Sequence, residues 1–126
     1  MSWQVERAGP RLTLSRPGRA RLDISVSREM PAPASRARLA HQIRQDLWRA
    51  LRDVRGFSPV IVVEHRDLMA CITAGGWLLR PAPPGTASRI ARLLDDPGLR
   101  RRWLAQAGNT QVRTNTSRDC FSSVSR

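Results

Sequence analysis

From Ser35 to Val54 one pattern leaves the backbone little choice. Leu39, Ala40, Ile43, Leu47, Ala50, Leu51 and Val54 recur at three- and four-residue spacing, lining one face of a helix that turns about 100° per residue. A helix with one apolar face must bury it against a second layer. Ser35 suits the N-cap, where its hydroxyl accepts from an orphan N–H of the first turn, and Gly56 is placed to end the helix. The opposite face collects Arg38, His41, Gln42, Gln45, Arg49 and Arg52.

Strands supply that second layer. RLTLS (11–15) and ARLDISVS (20–27) alternate apolar and polar residues, and SRPGR between them carries Pro17 and Gly18 at the centre of a turn. This predicts a hairpin with Arg16, Arg19 and Arg21 at its tip. EMPAPAS should interrupt the sheet before the helix. Residues 60–63 and 68–73 are apolar runs of strand length, joined by the polar stretch EHRD. After the rigid loop RPAPPG, residues 86–95 and 97–107 read as a helical pair, with Asp96 as N-cap, Pro97 at the first helical position and Gly108 as a stop. The expected class is therefore α+β, in the order β-β-α-β-β-α-α. The inner β-α-β-β unit begins a split β-α-β, so the long helix should pack on an antiparallel sheet of three or four strands. One domain over 1–108 and a disordered Ser/Thr/Asn/Arg-rich tail over 109–126 complete the reading.

Charge narrows the classes of partner. Twenty-two basic residues against ten acidic ones leave +12, a balance that attracts polyanions. All of the basic residues are Arg, and Tyr is absent. Both facts fit the codon usage of a GC-rich bacterial or phage genome, so the lack of Lys says nothing about chemistry. The excess over carboxylates survives that discount. Two cysteines without a CxxC, and two histidines, offer neither a disulfide framework nor a zinc set, and no cofactor is expected. MSWQVERAGPRL lacks the apolar region of a signal peptide, and the longest uncharged apolar run, LMACITAGGWLL, is too short to span a bilayer. A cytoplasmic protein that does not engage membranes is expected.

Four groups of residues are candidates for function. The helix stripe Arg38, Gln42, Gln45, Arg49 and Arg52 can follow a phosphate backbone, with Gln reaching a base edge or ribose. The hairpin tip of Arg16, Arg19 and Arg21 would extend that footprint if it lies on the same side. Arg100, Arg101 and Arg102 form the densest run, beside Trp103, whose helical spacing with Leu99 and Ala107 marks it as core. Trp48 with Arg44, together with Trp3 and Trp77, suits a protein-binding surface. In EHRD, His65 lies between Glu64 and Asp67, as a general base oriented by a carboxylate would. A polar hairpin loop accounts for the same residues with less, since no nucleophile or metal set accompanies them.

Two resemblances add context. The β-α-β-β order is similar to that of RNA-recognition modules with a ferredoxin-like sheet, which stack bases on sheet aromatics. Here the corresponding open face carries Arg, Asp, Ser and Thr, so that mechanism does not carry over. AGGWLLRPAPPGTASRIARLLDDPGLRRRWLAQAG resembles the closing segment of two-Rossmann-domain glycosyltransferases. It covers about a quarter of the chain and implies only a helical pair, because no nucleotide-binding half-domain precedes it. The sequence thus points to a small non-enzymatic protein that binds DNA or RNA mainly through phosphates. The alternative is an accessory protein of a bacterial or phage system that docks on an acidic partner protein.

Overall fold

The computed structural model describes residues 2–108, so the 109–126 tail lies outside the described residues. The elements are β1 (Gln4–Ala8), β2 (Arg11–Ser15), β3 (Ile24–Pro31), α1 (Arg36–Ala50), β4 (Phe57–Arg66), β5 (Met69–Leu78), α2 (Thr86–Asp95) and α3 (Pro97–Ala107). The five strands form one antiparallel sheet in the order β1-β2-β4-β5-β3. This is a mixed α+β fold. Strands β3 and β4 run parallel with β5 between them, so β3-α1-β4 is a split β-α-β.

All three helices lie on one face of the sheet. Leu39, Ala40, Ile43 and Leu47 of α1 pack on Leu12, Leu14, Ile61, Val63, Ile72 and Ala74, and Ile90, Leu94, Trp103 and Ala107 close the same core from α2 and α3. Burying each large side chain of this kind contributes about 1.5–3 kcal/mol before entropy is counted. The helix starts as read: Ser35 Oγ accepts from the Arg38 N–H at 3.1 Å. Asp96 Oδ1 accepts from the Leu99 N–H at 3.0 Å, capping α3 ahead of Pro97. Among the described residues no helix is long and apolar enough to cross a membrane.

Three expectations need correction. The Pro17–Gly18 turn forms, with the Arg19 N–H donating to the Arg16 carbonyl at 3.0 Å, but the chain does not fold back along β2. Both edges of β2 are taken, by β1 on one side and β4 on the other, so the next strand crosses the end of the sheet and pairs with β5. That strand starts at Ile24 and runs through Glu29, Met30 and Pro31, so EMPAPAS does not interrupt the sheet where expected. Pro31 is tolerated because β3 is an edge strand. Finally, α1 stops at Ala50, and Leu51 and Val54 are buried through turns rather than through a continued helix.

Strands β4 and β5 are longer than their apolar cores. Glu64, His65 and Arg66 belong to β4, and Trp77 and Leu78 to β5, which leaves a two-residue turn with Asp67 at φ 57°. Gly75 and Gly76 sit where strand backbones come close together. A Cβ on Gly75 would overlap the Ile24 carbonyl, and one on Gly76 would overlap the Ser58 carbonyl and the Phe57 ring. The pair lets three strands approach closely. Gly75→Ala should therefore cost about 3 kcal/mol in urea unfolding, because the obstacle is backbone and cannot swing aside.

Candidate nucleic-acid interface

Asp46 organises the helical layer. Its side chain is buried in the α1–α3 interface, where Oδ2 accepts from the Trp103 indole N–H at 2.6 Å and from the Arg102 guanidinium, while Arg49 Nη1 stands 3.4 Å from Oδ1. Trp103 has no exposed surface, so it is core as its spacing indicated. The arginine run beside it does not act as one patch. Arg102 is spent on Asp46; Arg100 donates from Nε to the Leu94 carbonyl at 2.6 Å and reaches Asp95 at 3.8 Å. Only Arg101 of the three lacks a carboxylate partner among the described residues. Successive helical residues lie about 100° apart, so a run of three cannot share a direction.

Arg38, Gln42, Gln45 and Arg49 share one face of α1, with Arg52 just past its end, but their side chains are engaged differently. Arg38 and Gln42 line a cleft of about 290 Å³ with His41 and Gln106 of α3. Gln45 is exposed, Arg49 leans toward Asp46, and Arg52 stands over the Trp48 ring at 4.9 Å. Trp48 is 40% exposed.

A tighter cluster lies on the flank facing β1 and β2, and the sequence reading missed it. Pairing of Gln4 with Ser15 sets Trp3 beside Arg16 on the helical face of the sheet, and Arg44 reaches the same ring from α1. The two guanidinium carbons lie 5.2 and 4.6 Å from the ring centroid. Neither guanidinium has a hydrogen bond or ion pair among the described residues. Burial, and then the charge of Arg16, press the Arg44 pKa below its ordinary value. The available signal was the alternation of Trp3 and Val5 with Gln4 and Glu6, which marks β1 as a half-buried strand.

The turn arginines diverge from there. Leu78 packs against the core, so neighbouring Trp77 projects from the face of the sheet opposite the helices. Arg19 stacks on Trp77 at 4.5 Å and Arg21 stands 5.7 Å away. Arg21 is also paired with Asp23 at 2.6 Å, whose other oxygen accepts from the Leu78 N–H at 2.8 Å. Arg16 therefore joins the helical flank, whereas Arg19 and Arg21 serve the opposite face.

EHRD is pulled apart by the strand. Glu64 faces Arg11 at 3.6 Å on the face of the sheet opposite the helices, and His65, the next residue, points to the helical side. Burial, and then the charge of Arg36, lower the His65 imidazole pKa; His41 is lowered by burial and then by Arg44. Among the described residues neither histidine has the carboxylate partner that would make it a general base. The described residues hold no cluster of three metal-ligating side chains. Compared with family models, curated proteins and solved structures, the chain matches none.

Two stability measurements test this arrangement. Asp46→Ala should cost about 2–3 kcal/mol in chemical denaturation, because the buried indole N–H loses its acceptor, while Arg102→Ala should cost clearly less because that side chain is half exposed. With both histidines below the ordinary 6.5, the unfolded chain binds more protons just under that pH. Stability should fall as pH drops through that window and level off once the folded histidines are protonated. The double replacement His41→Gln with His65→Gln should flatten that slope.

Proposed function

We propose that this chain is a small nucleic-acid-binding protein that recognises its polymer mainly through phosphate contacts, without catalysing a reaction. The observation that carries this reading is the arginine surface of the α1 layer. Among the described residues Arg16, Arg44 and Arg52 lie against tryptophan rings with no carboxylate on them, which leaves their charge for an external anion. Arg38 and Arg101 are exposed on the same layer without acidic partners among the described residues. The reading goes with a cytoplasmic setting in a bacterial or phage system. The full chain should bind labelled DNA or RNA oligonucleotides with log affinity falling linearly in log salt, losing at least about tenfold between about 50 and about 200 mM. Each phosphate-contacting Arg removed should reduce that slope by roughly one unit. Salt-independent binding would sink the reading.

A second reading, docking on an acidic protein, is favoured by Trp48. A tryptophan 40% exposed beside an arginine has the make-up of an interface hot spot. Failure of every nucleic acid to bind at low salt would shift the weight to this reading.

A further inference from the structure

Trp3 is flanked by two arginines that have nothing else to hold. Arg16 comes from the end of β2 and Arg44 from the middle of α1, and both converge on one ring, at 5.2 and 4.6 Å from its centroid. Among the described residues only three buried side-chain polar atoms lack a hydrogen-bond partner, and two of them are the Nε atoms of these arginines. Proteins rarely leave buried donors orphaned, and rarely bring two like charges together, without a compensating group. No carboxylate meets either guanidinium among the described residues. The missing complement is an anion with several acceptor oxygens, and the planar forks suit phosphate geometry.

The neighbourhood selects the form of that phosphate. Trp48 lies one helical turn beyond Arg44, on the same flank of α1, where side chains at this spacing are about 5–6 Å apart. Its ring is 40% exposed, and Arg52, one further turn along, stands over it. Trp3 carries two guanidiniums and is half-buried, whereas Trp48 carries one and is exposed, so Trp48 is the aromatic with surface left for a ligand. A phosphate beside an exposed aromatic matches a nucleotide whose base is free to stack, which a base in a duplex is not.

Resting on the nucleic-acid reading above, we infer that Arg16 and Arg44, ordered by Trp3, form a clamp for one phosphate of a single-stranded nucleic acid whose neighbouring base stacks on Trp48. The clamp requires the planar forks to stay pre-arranged on the ring, so charge alone is not sufficient. The stacking partner gives preference for single strands over duplex without reading sequence.

The test measures affinity of the full chain for a labelled mixed-sequence DNA oligonucleotide, single-stranded and as its duplex. It compares Arg16→Gln, Arg44→Gln, Arg44→Lys, Trp48→Ala and, as a matched loss of charge at an exposed site on α2, Arg92→Gln. Thermal unfolding of each variant without ligand identifies any that are misfolded, and Arg44→Lys, which keeps the charge, stands in if a Gln variant is lost. Single-strand binding should weaken about tenfold in either Gln variant and several-fold in Arg44→Lys, with Arg92→Gln close to the parent. Trp48→Ala should bring single-strand affinity down toward that for duplex. If the parent binds but Arg16→Gln and Arg44→Gln weaken it no more than Arg92→Gln does, the clamp is wrong and general phosphate binding survives. If duplex is preferred and Trp48→Ala changes nothing, the stacking assignment falls. If the parent binds neither form at low salt, the nucleic-acid reading fails along with the clamp.

Discussion

A carboxylate almost cut off from water ties α3 to α1. Asp46 lies on the inward side of α1, where an unpaired charge would be costly, and the Trp103 indole N–H together with Arg102 makes its burial tolerable. Much follows from that contact. It fixes Trp103 as the plug between the helices, draws Arg102 and Arg49 to one flank, and sets how α2 and α3 complete a layer that α1 alone is too narrow to cover. The opposite flank of α1 is left to the β1–β2 side, and there Arg44 meets Trp3. One helix thus has an acid-centred flank that holds the fold together and a base-rich flank whose charge is unspent.

Elements with their own local signal were legible in the sequence. The cap at Ser35, the apolar face of α1 as far as Ala50, the Asp96–Pro97 helix start and the apolar centres of β4 and β5 are short-range properties, and they form, although both strands run longer than read. The split β-α-β followed from their order. Strand partners were not legible, because alternation tells which side of a strand is buried but not what lies along its edge. Pro17 and Gly18 make a good turn in either topology. What decides between them is that β1 and β4 already occupy both edges of β2, and β1 is short, at the chain start, and half polar.

The same limit explains what was missed at the candidate interface. The α1 stripe was visible because helical period alone defines it. The density of Arg100, Arg101 and Arg102 misled, since neighbours in sequence diverge around a helix and two of them are consumed by the fold. The approach of Trp3, Arg16 and Arg44 depends on a strand register and on how α1 packs over it, and neither is written locally. EHRD failed for a related reason: once residues 64–66 are strand, adjacency in sequence becomes separation across the sheet.

The route from β2 to β3 gives the molecule a seam. β3, α1, β4 and β5 make a unit with sheet and covering helix present, whereas β1 and β2 form a hairpin whose strand pairing with that unit runs only along the border between β2 and β4, with Leu12 and Leu14 packed under α1. Segments joined through one border peel away at lower free energy than the whole molecule unfolds. Trp3 and Arg16 travel with that hairpin, and Arg44 stays with the unit. Detaching the flap would separate the arginines and uncover Leu12 and Leu14, so the geometry of the basic flank is tied to the same border that completes the core.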